Sequence, residues 1–190
     1  MTGLRDRARR AVRAEVAGVG FTLFAEHGFD QVTADQIAAA AGMSRTSFFR
    51  YFPTKEDVVL GHLEEMGEQL TAALAARPAD EGAWVALEQA FFDQFGETLE
   101  DPDRALRLAR MMQDTPSLRA RHLEKQQNWQ DLLTPEVARR LRITDTPTDP
   151  RPRAVAGAAL ACLDAANQAW TNSNGTKDMR ELITQAMSVL

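Results

Sequence analysis

Residues 33–55 read TADQIAAAAGMSRTSFFRYFPTK, and their punctuation decides the fold. Thr33 followed three residues later by Gln36 is a capping box, the reciprocal pairing that opens a helix, and Ile37, Ala38 and Ala41 give that helix one small apolar face. Gly42 ends it. A second helix restarts almost at once, with Ser44 as its N-cap and Phe48 and Phe52 one turn apart as its buried side, until Pro53 stops it. Two short helices joined by a glycine turn form a helix-turn-helix.

At roughly 100° per residue, Thr46, Ser47, Arg50 and Tyr51 project away from the Phe48 and Phe52 side, and Arg45 sits at the exposed N-terminal end. A helix entering the DNA major groove N-terminus first needs this set, because Arg bridges guanine O6 and N7 while Ser and Thr reach base edges or phosphates. The same outward polar set also describes an ordinary solvated helix face. Thr54 reads as the N-cap of the next helix, which puts Lys55 in a first turn, where its charge meets the positive end of the helix dipole. A docked phosphate would make sense of that placement, since backbone N–H groups and the ammonium would act on one anion. Glu56 and Asp57 supply the other reading, in which they simply offset the lysine.

The order FAEHGFDQVTADQIAAAAGMSRTSFFRYFPTKED resembles the N-terminal domain of the TetR family of bacterial transcriptional repressors, with Phe24 to Gly28, Thr33, Ile37, Ala38, Ala41, Gly42, Phe48, Tyr51, Phe52 and Lys55 at the family's spacing. The resemblance is sharp over roughly residues 10–60. It implies an all-α chain: a three-helix DNA-binding domain over residues 1–54, then a helical ligand-binding and dimerisation domain over residues 55–190. It further implies a homodimeric repressor that reads a palindromic operator in double-stranded DNA and is released by a small molecule. Carried over by position, Arg45, Thr46 and Ser47 resemble base or backbone contacts, and Thr33, Tyr51 and Lys55 resemble phosphate contacts; Ser44 and Arg50 complete the expected DNA-binding set. Many members have Tyr where this chain has Phe49, so no phosphate hydrogen bond is carried onto that position.

Composition sets the frame for these expectations. A chain of 190 residues with 44% hydrophobic content can bury a core. The single Cys162 excludes an intrachain disulfide, and the lack of an apolar leader or a run of about 20 apolar residues points to a cytoplasmic protein without a membrane partner. The net charge of −5 is unevenly spread: residues 1–60 hold eight basic against seven acidic residues, so the remainder carries the excess of acid. Five arginines (Arg5, Arg7, Arg9, Arg10 and Arg13) open the chain, either as an arm for phosphates or the minor groove or as a solvated helix start.

In chain order, a first helix is expected over residues 6–26, with Val12, Val16, Val19 and Leu23 as its core stripe and Gly18 and Gly20 as possible points of close packing. Gly28 fits a left-handed cap, with Phe29 folding back after it. The helix begun at Thr54 is expected to run unbroken to about residue 76 and so join the two domains directly. Further helices are expected over residues 83–99, around Leu106 to Met112, through His122 and Trp129 to Leu133, and again from Thr134-Pro135-Glu136. The segment ITDTPTDPRP, residues 143–152, reads as a loop before two last helices, residues 153–170 and 178–190. Their small and apolar residues suit packing against a second copy, as in the family's dimer interface, or against their own chain.

Phe91, Phe95, Met111, Met112, Trp129, Asn167 and Trp170 are the candidates for an effector pocket, although an aromatic and Met set at helical spacing also describes plain core. Residues 104–133 resemble the C-terminal region of mycofactocin-system regulators and TetR members with an acyl-CoA-like ligand domain. That likeness implies a long acyl chain with an anionic head, met by Arg107, Arg110, Arg119 or Arg121.

An enzyme is not expected. His27, His62 and His122 lack the spacing of helical metal sites, Gly18-Val19-Gly20 lies within a helix pattern and not after a strand, and Cys162 sits in an Ala-rich helix. No metal and no cofactor are therefore expected.

Overall fold

The computed structural model describes residues 3–95, 101–144 and 147–189, and for residues 4–6 the backbone alone. The described residues form ten helices and no strand: α1 (Leu4–His27), α2 (Ala34–Ala40), α3 (Arg45–Tyr51), α4 (Glu56–Leu60), α5 (Leu63–Ala76), α6 (Ala83–Phe95), α7 (Pro102–Asp114), α8 (Pro116–Arg140), α9 (Arg151–Asn172) and α10 (Met179–Met187). They divide into two compact units, one of residues 1–62 with 114–121, the other of residues 63–113 with 122–190.

In the first unit α1 packs on α2 and α4. Val16, Phe24, Phe29, Val32, Ile37, Phe48, Phe52, Val58 and Leu60 make the core. Gly28 and Gly42 adopt φ of 83° and 66°, a region closed to most side chains, and so turn the chain between α1 and α2 and between α2 and α3. The Phe29 ring lies 4.9 Å from that of Phe24, as expected for a residue folding back after the cap. Of the two glycines inside α1, only Gly20 is needed for packing: a Cβ there would meet Val58 Cγ1 at 2.6 Å, whereas one on Gly18 would meet nothing within 4 Å.

The expectation of one unbroken helix over residues 54–76 is corrected by a turn at Gly61 and His62 that separates α4 from α5. The cause is a tertiary contact. Arg13 Nη2 donates to the Gly61 carbonyl at 3.2 Å, taking an acceptor that a continuous helix would give to its own next turn. Arg13 also lies over Phe52, 5.5 Å from the ring centroid, so this arginine of the opening arm holds the unit together. Arg7, Arg9 and Arg10 are exposed, and the Arg5 side chain lies outside the described residues.

The second unit is built on α5, α6, α9 and α10, with Leu70, Leu74, Leu87, Phe91, Leu133, Ala156, Ala159 and Ile183 in its core. Trp84 Nε1 donates to the Met187 carbonyl at 3.1 Å and so closes the end of α10. The end of α5 is closed by Arg140, whose side chain is wholly buried and donates to the carbonyls of Leu74, Arg77, Pro78 and Glu81.

A second correction concerns Pro135, which starts no new helix but lies inside α8. Buried Leu133, Val137 and Ala138 hold the helix on its inner side, and Pro135 itself is exposed. Packing thereby outweighs a proline penalty of about 3 kcal/mol. Helix α9 starts at Arg151, two residues earlier than expected, with Pro152 in its first turn, where a missing N–H costs nothing. The expected extension of α6 to residue 99 lies outside the described residues beyond Phe95, as do Asp145 and Thr146 of the loop.

Candidate nucleic-acid interface and effector region

Both helices of the helix-turn-helix begin with the caps their sequences specify. The Thr33 hydroxyl accepts from Gln36 N at 3.2 Å while Gln36 Oε1 accepts from Thr33 N at 2.8 Å. Ser44 Oγ accepts from Ser47 N at 3.1 Å and also donates to Ser47 Oγ at 3.1 Å. These bonds fix where α3 starts and therefore which residues face outward. Phe48 is fully buried, its ring tilted against that of Phe52 at a centroid distance of 5.4 Å, which anchors one side of α3.

Opposite that anchor, Arg45, Thr46, Phe49 and Arg50 are exposed, and Ser47 and Tyr51 are half-buried. Arg50 lies over Tyr51, 5.5 Å from its ring centroid, and Arg45 lies over Phe49 at 5.6 Å. Thr33 and Ser44 are exposed, with their hydroxyls engaged in the caps. Lys55 is half-buried, and its Nζ donates to the Phe29 carbonyl at 2.8 Å above the Phe29 ring, 4.1 Å from the centroid. The lysine thus ties the turn after α1 to the start of α4, with two of its three N–H donors still to be used. Thr54 and Asp57 form a second reciprocal cap, Thr54 N donating to Asp57 Oδ2 at 3.1 Å and Asp57 N to Thr54 Oγ1 at 3.3 Å. Buried Asp57 also receives Arg121 Nη2 on Oδ1 at 3.3 Å.

Sequence reasoning missed Asp35. Its Oδ2 accepts from Arg45 Nη1 at 3.2 Å, across the turn between α2 and α3. The only signal available was opposite charge ten residues apart, which has no helical period.

In the second unit, Phe91, Phe95 and Trp129 are brought together in a run of rings with centroid separations of 6.5 and 6.3 Å. Trp129 Nε1 donates to the Leu63 carbonyl at 2.8 Å, and one turn before it the buried Lys125 pairs with Glu64. Met111 and Met112 are half-buried on α7, a helix in which no residue is fully buried. Trp170 packs at the end of α9 against the Gly175 turn, and the main-chain carbonyl of half-buried Asn167 accepts from Thr171 Oγ1. Of the four arginines considered for an anionic head, Arg107 and Arg119 are exposed, Arg110 donates to Asn174 Oδ1 at 2.5 Å, and Arg121 is held by Asp57. Burial pushes the His122 imidazole below its ordinary value, with Asp164 Oδ1, 3.8 Å from Nε2, working against that shift. Burial pushes the Cys162 thiol up, which keeps it protonated and unreactive.

A capped helix-turn-helix in one unit and a separate all-helical second unit define a class, the helical regulators that read DNA with a short recognition helix. The family of bacterial regulatory proteins called tetR matches residues 19–61, and the MftR C-terminal domain family matches residues 81–190. The chain belongs to the TetR family of transcriptional regulators, a family of DNA-binding proteins and not of enzymes. It is 32% identical over 174 residues to the HTH-type transcriptional regulator TcmR of Streptomyces glaucescens, spanning 88% of this chain and 76% of that protein. Its fold is similar to that of FadR from Thermus thermophilus, a TetR-family repressor solved in complex with lauroyl-CoA (22% identity, 93% of this chain and 92% of that one, TM-score 0.59). It is likewise similar to SmeT, solved in complex with triclosan (19% identity, 94% and 89% coverage, TM-score 0.64). Among the described residues no helix is long and apolar enough to cross a membrane.

Proposed function

We propose that this chain is a cytoplasmic, homodimeric repressor whose two α3 helices read a palindromic operator and which leaves DNA when a hydrophobic effector of the long-chain acyl-CoA class binds its helical domain. Residues 1–54 serve as the reading domain and residues 55–190 as the effector and dimerisation domain. The observation that carries the reading is α3 itself: one side is locked by Phe48, and the other offers Arg45, Thr46 and Arg50 to the outside. Arg45 and Thr46 address bases; Thr33, Ser44, Ser47, Arg50, Tyr51 and Lys55 address the backbone. Self-association is supported by α9, which exposes Ala154, Ala161 and Ala165, and by Val189 after α10, which is 76% exposed.

The effector reading rests on the ring run of Phe91, Phe95 and Trp129, with Met111, Met112, Asn167 and Trp170 as further lining candidates, and on the acyl-CoA bound by the FadR of similar fold. Effector binding acts as a population shift, favouring a spacing of the two α3 helices that no longer matches successive major grooves about 34 Å apart. The test is selection of a preferred duplex from a random DNA pool. Fluorescence anisotropy on that duplex follows, with random duplex as competitor and then lauroyl-CoA added. Competitor-resistant binding that lauroyl-CoA reverses is the expected result. Binding that lauroyl-CoA leaves untouched discards the effector class, and failure to enrich any duplex discards the operator reading.

A further inference from the structure

Arg45 is the first residue of α3 and its side chain is 71% exposed, yet its guanidinium is held from two directions. Asp35 Oδ2 takes Nη1 at 3.2 Å, and the Phe49 ring, itself 39% exposed, lies 5.6 Å below the guanidinium carbon. Asp35 stands in the first turn of α2, two residues after the Thr33 cap, where a carboxylate suits the helix dipole. The dipole accounts for a carboxylate at that position but not for its reach across the turn to Arg45. Folding stability is a weak account of the pair, because exposed ion pairs contribute only about 0.2–1 kcal/mol to it. What the pair does change is the freedom of the arginine. A guanidinium has a rigid fork of donors, and bonding Nη1 on one side leaves the Nε–Nη2 edge with the parallel donors that guanine O6 and N7 accept.

Resting on the reading of α3 as the DNA-recognition helix, we propose that Asp35 is a specificity-determining positioning residue. It holds the Arg45 guanidinium in base-reading orientation against Phe49 and, as an anion beside the groove, discourages Arg45 from settling on phosphate. The two roles have opposite signs on different DNA. Loss of Asp35 relaxes the arginine and weakens discrimination, while removing a negative charge leaves binding to random duplex unchanged or tighter.

The experiment uses the full chain and the duplex it enriches from a random pool. Affinity is measured for that duplex, for its single-base-pair variants and for random duplex, with wild type, Asp35→Asn, Asp35→Glu, Arg45→Ala and the Asp35→Asn/Arg45→Ala double variant. Thermal melting reports the fold of each. Asp35→Asn is expected to lose up to about fivefold in discrimination at the base pairs where Arg45→Ala also loses it, without weaker binding to random duplex. Asp35→Glu recovers most of that discrimination, and the double variant loses no more than Arg45→Ala alone. The proposal is overturned if Asp35→Asn keeps full discrimination at those base pairs, or if it weakens enriched and random duplex by the same factor. Should wild type enrich no duplex, the reading of α3 falls, and this proposal with it. A wild type that discriminates beside an Asp35→Asn that does so equally well sinks the proposal alone.

Discussion

Lys55 carries two jobs that a single substitution can separate. Its ammonium bonds the Phe29 carbonyl at 2.8 Å and rests over the Phe29 ring, and the Phe29 carbonyl also accepts from Val32 N at 3.4 Å. Lys55→Met keeps the apolar stem over the ring but removes the charge and the donor. A hydrogen bond from a charged group contributes about 1.5–3 kcal/mol and an exposed cation–π contact about 0.5–1. Because Lys55 is only half-buried and the carbonyl keeps one partner, the net loss is nearer 1–2 kcal/mol, roughly 2–8 °C in Tm for a chain of this size. If the remaining N–H donors also neutralise a phosphate, the slope of log affinity against log salt falls by about 0.9 for each protomer. Thermal melting and anisotropy over a salt series measure the two quantities on the same samples, and Lys55→Arg, which keeps the charge, restores the slope. A lower Tm with an unchanged slope in Lys55→Met would refute the phosphate role and leave Lys55 as a structural tie alone.

Arg140→Met should cost about 3–5 kcal/mol in urea unfolding, since it strips a buried guanidinium from four carbonyls and from Glu136; a loss under 1 kcal/mol would show that water replaces it. Gly18→Ala and Gly20→Ala should move stability in opposite directions. The first gains about 0.5–1 kcal/mol of helix propensity in open space, and the second forces a methyl group onto Val58 at a cost of about 1–3 kcal/mol; a gain in both would contradict the close approach of α1 to α4. His122 titrates below its ordinary 6.5 because it is buried, so as pH falls through 6.5 the unfolded chain takes up a proton that the folded chain refuses. Stability present above that value is lost toward the lower folded pKa, and His122→Gln should lose less stability than wild type between about pH 7.5 and pH 5.5. Equal pH slopes in the two proteins would show that His122 contributes nothing to the pH dependence and refute the burial argument.

The local signals in residues 33–55 carried through to the structure because caps are short-range: Thr33 with Gln36, Ser44 with Ser47 and Thr54 with Asp57 each close within three residues. Gly28 and Gly42 likewise act through their own φ. With the buried Phe48 they determine the start and facing of α3, Pro53 ends it, and the all-helical class follows from periodicity along the rest of the chain. What tertiary structure decided depends on partners distant in sequence, which no period encodes. Arg13 breaks the α4–α5 helix from 48 residues away, Lys55 turns to a carbonyl 26 residues earlier, and Arg45 finds Asp35 ten residues back across a turn. Pro135 stays within α8 because the burial of Leu133 and Val137 outweighs a local penalty. Composition placed aromatic rings on several helices, but only packing could bring Phe91, Phe95 and Trp129 together and set Trp170 against the Gly175 turn. Cap bonds span a few residues and tolerate few alternatives, whereas side chains on separate helices meet according to how the whole unit packs.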